Sequence, residues 1–163
     1  MLLKLYKCIK KYENEINEAL KKDLGKCEFD GFMCETGLVL MELNYMIRYT
    51  AFYAKKHRVY TPIGQCIGSG YKKASPYGNV LIMSPWNYPF LLTMTPISDA
   101  IAAGNTIIIK PSAYSPASSE VIKKIIEECF PPEYVAVVTG GREENKELLN
   151  QKFDMIFFTG SQA

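Results

Sequence analysis

The stretch NVLIMSPWNYPFLLTMTPISDAIAAGNTIIIK, from Asn79 to Lys110, decides the fold. Val80 to Met83 and Thr106 to Ile109 are short apolar runs rich in branched residues. The segment between them is long enough for the helical crossover that parallel strands require. Gly104 stands where a helix C-cap glycine would end the crossover. The first run leads into Ser84-Pro85-Trp86-Asn87 and the second into Lys110-Pro111-Ser112. Open parallel sheets bind ligands beyond the carboxyl ends of their strands, so a Trp, an Asn and a Lys are placed to face a site.

Downstream the alternation continues. Ser115-Pro116 reads as an N-cap followed by proline at the first helical position. Val121, Ile122, Ile125, Ile126 and Cys129 recur on one face of the helix that follows, and Pro131-Pro132 ends it. Tyr134 to Val138 reads as a third strand running into Thr139-Gly140-Gly141. A short helix through Leu148-Leu149 comes next, then a fourth strand, Met155 to Phe158, running into Thr159-Gly160-Ser161. Strands alternating with helices predict an α/β fold with a doubly wound, Rossmann-like parallel sheet.

Upstream, Leu2, Leu5, Tyr6, Ile9, Tyr12, Ile16, Ala19 and Leu20 recur every three to four residues, which predicts one amphipathic helix ending near Gly25. A second helix spans about Phe29 to Lys56. It carries two apolar stripes, Leu38, Met41, Tyr45, Tyr49, Phe52 and Val39, Leu43, Met46, and is expected to pack on both sides. Lys55, Lys56 and His57 suit the negative end of its dipole. From Tyr60 to Gly78 the texture turns to β-branched residues, Gly and Pro, predicting a hairpin about Gly68-Ser69-Gly70. The chain thus divides into a helical segment (1–59), a hairpin (60–78) and a doubly wound sheet (79–163).

With 48% hydrophobic and 22% charged residues, the 163-residue chain reads as soluble and globular. A net charge of +2 with scattered lysine pairs gives no basic stripe, so no nucleic acid and no membrane partner is expected. No apolar run approaches the ~20 residues of a membrane span. The five cysteines, an odd number at unrelated spacings, fit reduced thiols in the cytoplasm. One histidine makes a zinc site a poor expectation.

No G-x-G-x-x-G or P-loop pattern is present, and glycines at strand ends are what tight turns need whatever the function. Unaided, the residues leave a nucleotide site and a purely structural crevice equally open, and Asn87 reads first as a turn residue before Tyr88-Pro89. The SPWNYPF and AIAAGNTIIIKPS segments, however, resemble the aldehyde dehydrogenase superfamily. With the later GG and FFTGS they are most similar to its class 3 branch, over nearly the whole chain.

The resemblance implies NAD(P)-dependent oxidation of an aldehyde to a carboxylic acid through a Cys thiohemiacetal and thioester. It implies NAD or NADP as cofactor, an aldehyde substrate and a homodimer to which the hairpin contributes. The coenzyme site it implies comprises Ser84, Pro85, Trp86, Lys110, Ser112, Ala113, Gly140, Gly141, Thr159, Gly160 and Ser161. Within it, Lys110 and the turn after it would reach the adenosine ribose, Gly140 would let adenine lie against backbone, and Gly160 and Ser161 would approach the pyrophosphate. Trp86 reads as both a wall of this site and a packing residue. Asn87 is the one catalytic residue implied, as donor to the oxyanion.

The chain resembles only the first third of such an enzyme. The family's nucleophilic Cys and general-base Glu lie in later motifs, so the 163 residues alone are expected to be inactive. Gly64-Gln65-Cys66 mimics the sequence around the nucleophile but precedes the nucleotide-binding strands, and Cys66 reads as structural. Ala113 departs from the pattern, because class 3 members commonly carry there a Glu that grips the ribose hydroxyls. A coenzyme-A-acylating aldehyde dehydrogenase and a non-catalytic nucleotide- or partner-binding fragment remain alternatives.

Overall fold

The computed structural model describes residues 1–65 and 67–161; the Cys66 expectation lies outside the described residues. Four parallel strands form the centre: β3 (Asn79–Met83), β4 (Thr106–Lys110), β5 (Val135–Val137) and β6 (Met155–Phe158), after a short hairpin of β1 (His57–Arg58) and β2 (Tyr71–Lys72). The order in the sheet is β5-β4-β3-β6. The chain therefore steps outward twice, then returns past its first strand to continue on the other side, which is the doubly wound pattern with its switch point between β3 and β6. Leu81 pairs with Ile108 on one side and Ile156 on the other.

The period-2 geometry of the strands sorts their side chains between two layers. Val80, Ile82, Ile107 and Ile109 face a core built with α5 (Leu91–Ala103) and α6 (Pro116–Cys129), where Met94, Ile97, Ile122, Ile125 and Ile126 are fully buried. Leu81 and Met83 face the other way, onto Leu148 of α7 (Arg142–Leu149). All four residues of β6 are exposed, as befits an edge strand. Gly104 adopts φ 86°, and the N–H of Asn105 returns to Ala100 O at 3.0 Å, the bond expected past a glycine-terminated helix.

The amino-terminal helix is two helices, α1 (Leu2–Lys11) and α2 (Glu13–Leu24), broken at Tyr12. The Tyr12 hydroxyl donates to Glu128 on α6 at 2.6 Å. Turning there keeps Leu5 and Ile9 on one side of the break, and Ile16 and Leu20 on the other, all in the core. The second predicted helix runs as α3 (Glu28–Gly31), a π-turn (Phe32–Thr36) and α4 (Gly37–Tyr53). A Cβ at Gly37 would stand 2.7 Å from Phe32 O, so the π-turn requires glycine at its exit.

Only one stripe of α4 is covered. Val39 and Leu43 are fully buried, whereas Leu38, Met41, Tyr45, Tyr49 and Phe52 are 42–69% exposed, contrary to the expectation of packing on both sides. The tyrosines instead gather on one another, with Tyr45 and Tyr49 centroids 4.7 Å apart. Nor does His57 sit in a last helical turn: α4 stops at Tyr53, and His57 pairs with Lys72 in the hairpin. The hairpin strands are two residues each, and the loop between them holds a 3-10 turn at Ile63–Gln65.

Ser115 precedes α6 as expected, but its side chain makes no cap bond. The cap is supplied from α2, where the Asp23 carboxylate accepts from the N–H groups of Ala117 at 3.2 Å and Ser118 at 2.7 Å. A carboxylate at a helix N-terminus satisfies orphan donors and opposes the helix dipole. No helix among the described residues is long and apolar enough to cross a membrane, and no group of three or more His, Cys, Asp or Glu gathers to hold a metal.

Candidate active site

Beyond the carboxyl ends of the four strands lies a cleft of about 530 Å³. Ser84, Pro85 and Trp86 after β3, Lys110, Ser112 and Ala113 after β4, Gly140 and Gly141 after β5, and Thr159, Gly160 and Ser161 after β6 all line it. The sheet topology thus brings together residues up to 77 positions apart, from Ser84 to Ser161.

Lys110 is 3% exposed, and its ammonium donates to Gly140 O at 2.7 Å and Pro111 O at 3.0 Å. Burial pulls its pKa below the ordinary lysine value, and Glu144 opposes that shift. Two of its three donors are therefore occupied, and one is left for a ligand. Gly140 has φ +134°, and a Cβ there would come 2.5 Å from the Glu144 side chain. The glycine is thus required by the protein's own packing. Glu144 accepts from Gly141 N–H at 2.6 Å, and hydrogen bonds from its own N–H and that of Gly141 hold its carboxyl below the usual range.

Two expectations change on inspection of the first turn. The Ser84 hydroxyl is engaged in a buried contact of 2.5 Å with Thr93 Oγ1, which itself donates to Pro89 O. Ser84 ties the turn together. Trp86 is 52% exposed, so among the described residues it is wall rather than packing.

Asn87 stands one residue past that wall and does not line the cleft. Its Oδ1 accepts from Tyr88 N–H at 3.1 Å, which directs Nδ2 outward; among the described residues Nδ2 has no partner. Lys26 Nζ donates to the Asn87 carbonyl at 3.3 Å and lies 4.0 Å above the Tyr88 ring. A neutral amide held in this way offers a donor to an oxygen that gains charge.

Tyr114, Arg142 and Asn145 also line the cleft and were not foreseen. Arg142 opens α7 immediately after the glycine pair, a position from which a short helix presents its first side chains to the crevice. Asn145 Oδ1 is buried without a partner among the described residues, an acceptor left over for a ligand's N–H. A buried amine that donates, an orphaned oxygen that accepts and glycine turns that let a ligand approach backbone fit a dinucleotide.

The chain is 44% identical over 161 residues to the 4,4'-diaponeurosporen-aldehyde dehydrogenase of Staphylococcus aureus, covering 99% of this chain and 35% of that one. Members of aldehyde dehydrogenase family 3 from Arabidopsis thaliana and Mus musculus match at 36–38% identity. The substrate-bound structure of Staphylococcus aureus AldH superposes with a TM-score of 0.96 at 44% identity, over 98% of this chain and 35% of that one. The structure of PnpE in complex with nicotinamide adenine dinucleotide gives 0.72 at 28% identity, over 85% and 28%. The chain spans about a third of the length of the curated relatives it matches. The profile of the aldehyde dehydrogenase family matches residues 1–163 from end to end, and the chain belongs to that family.

Proposed function

We propose that this chain supplies the coenzyme cleft and the oxyanion donor of an NAD(P)-dependent aldehyde dehydrogenase that oxidises an aldehyde to a carboxylic acid. The observation that carries the reading is the convergence of four strand-end turns on one cleft, with a buried lysine amine inside it and a free side-chain amide at its edge. The NAD-bound relative with the same fold supports the choice of coenzyme. Nucleophile and general base belong to residues outside these 163.

In this reading the Lys110 N–H left free by Gly140 and Pro111 holds a ribose hydroxyl, and Arg142 faces the phosphate-bearing side of the cleft. The bound coenzyme supplies the hydride acceptor. Asn87 Nδ2 donates to the carbonyl oxygen of the substrate as a cysteine thiolate adds, and a neutral donor does so without quenching the thiolate. An aldehyde is the substrate class we infer, as in the names of the Staphylococcus aureus and Cytobacillus firmus relatives. The β1–β2 hairpin contributes to a homodimer, and the four free cysteines among the described residues accord with a reducing cytoplasm.

The test is reduced-coenzyme formation by the complete enzyme with a panel of aldehydes. Asn87→Ala is expected to lower kcat by roughly 10²- to 10³-fold with little change in coenzyme affinity, the usual effect of removing one oxyanion donor. Equal turnover in parent and variant would return Asn87 to the role of a turn residue.

A further inference from the structure

Neither Lys26 nor Glu35 belongs to any motif, yet together they grip the turn that carries Asn87. Glu35 sits in the π-turn, fully buried. Its Oε1 accepts from Lys26 Nζ at 2.5 Å, and its Oε2 accepts from the N–H groups of Phe90 at 2.8 Å and Leu91 at 3.1 Å. The carboxylate therefore caps the thirteen-residue helix α5, which begins at Leu91. Lys26 reaches past Glu35 to the Asn87 carbonyl and the Tyr88 ring. One ion pair thus touches Asn87, Tyr88, Phe90 and Leu91, and none of its bonds goes to the Asn87 amide.

A buried ion pair is weak ground for stability, because desolvation offsets most of the attraction. What such a pair does well is specify a geometry. The Asn87 amide is oriented by its own neighbour, through Tyr88 N–H, so a rotation of the 87–88 peptide turns Nδ2 with it. Lys26 restrains that peptide's carbonyl, and Glu35 restrains the backbone two and three residues further on. The π-turn is the device that aims Glu35 inward, consistent with the frequent placement of such turns beside functional sites.

We propose that Lys26 and Glu35 are positioning residues for the oxyanion donor. The proposal rests on the reading of Asn87 given above. Lys26 and Glu35 set the direction of its amide, and their removal leaves an enzyme that binds coenzyme normally but stabilises the oxyanion poorly.

The experiment measures kcat, KM for aldehyde and coenzyme Kd in the complete enzyme for Lys26→Met and Glu35→Gln, each alone and combined with Asn87→Ala, with Lys26→Arg as the conservative variant. The Lys26 side chain is at the surface end of the pair, 18% exposed, so Lys26→Met decides the matter even where Glu35→Gln fails to fold. Lys26→Met is expected to lower kcat about tenfold or more, since small misplacements of catalytic groups cost that much, and to leave coenzyme Kd within about twofold. In the Asn87→Ala background the same substitution is expected to change kcat little, and Lys26→Arg to recover most of the loss. A merely structural role would lower kcat equally in both backgrounds, and that result overturns the proposal. So does parental kcat in a folded Lys26→Met enzyme while Asn87→Ala is impaired. Parental kcat in Asn87→Ala itself would remove the oxyanion reading, and this inference with it.

Discussion

The Lys110 ammonium donates to the Gly140 carbonyl at 2.7 Å, tying the end of β4 to the turn after β5 across the floor of the cleft. The accepting residue, Gly140, takes a backbone conformation, φ +134°, that side chains avoid, with the Glu144 side chain lying where a Cβ would go. Gly140→Ala is therefore expected to lower stability by about 1–3 kcal/mol, the order of cost for a residue forced into such a conformation. Pairing it with Glu144→Ala should recover the steric part and leave the conformational part. Denaturant midpoints of the single and double variants measure this, and a neutral Gly140→Ala would mean that the turn relaxes freely.

The second prediction concerns the carboxylate that joins α2 to α6. Asp23 accepts from the first N–H groups of α6, 94 and 95 residues away in sequence. Asp23→Ala leaves those donors unsatisfied and should cost about 1 kcal/mol, as loss of an N-cap usually does. Asp23→Asn retains an acceptor and should cost less. Thermal unfolding of both variants decides, and equal stability of Asp23→Ala and parent would show that water replaces the cap without penalty.

The sheet was legible from the sequence because its signals are local. Branched apolar runs closed by Ser-Pro and Thr-Gly-Ser turns place the carboxyl ends of β3 and β6 where they are observed, and the alternation of elements gives the order along the chain. The features that escaped depend on distant partners. The first helix breaks at Tyr12, whose hydroxyl bonds Glu128, Asp23 rather than Ser115 caps α6, and α4 ends before His57, which pairs in the hairpin. For the site, the strand-end turns gathered all eleven predicted coenzyme residues into the one cleft. Side-chain partners were not readable: Ser84 bonds Thr93, and Gly140 makes room for Glu144. Lys26 and Glu35 carry no local signature at all.

A third prediction follows from α5. Burial pushes the Asp99 carboxyl up to about 6, from an ordinary value of 3.8, and Glu42 on α4 adds to the rise. A folded-state pKa above the unfolded one means that the folded state holds its proton more tightly. Stability then falls as pH rises from about 4 to about 6, and stays lower above that window. Asp99 keeps part of its surface in solvent, so the effect is modest. Asp99→Asn should raise the melting temperature near neutral pH and not at about pH 4. Carboxyl resonances give the direct check: Asp99 titrating near 4 in the parent would remove the basis of the expectation.

The last prediction returns to Ala113, which lines the cleft between Ser112 and Tyr114 and stands where the family resemblance leads to the expectation of Glu. A carboxylate at the adenosine ribose accepts from its 2′ and 3′ hydroxyls and repels a 2′-phosphate, which favours NAD. Alanine does neither. The structure adds a cation on the same cleft, because Arg142 lines it with an exposed side chain, whereas two of the Lys110 donors are held by Gly140 and Pro111. Guanidinium groups pair with phosphate through two parallel hydrogen bonds, so Arg142 is the better partner for a 2′-phosphate. The complete enzyme is therefore expected to use NADP at least comparably with NAD. Ala113→Glu should move the ratio of kcat/KM values toward NAD by about tenfold or more, equivalent to at least ~1.4 kcal/mol. Arg142→Ala should reduce kcat/KM for NADP more than for NAD. A parent strongly selective for NAD, with no shift on introducing Glu and no selective loss on removing Arg142, would mean that ribose recognition lies on residues other than these two.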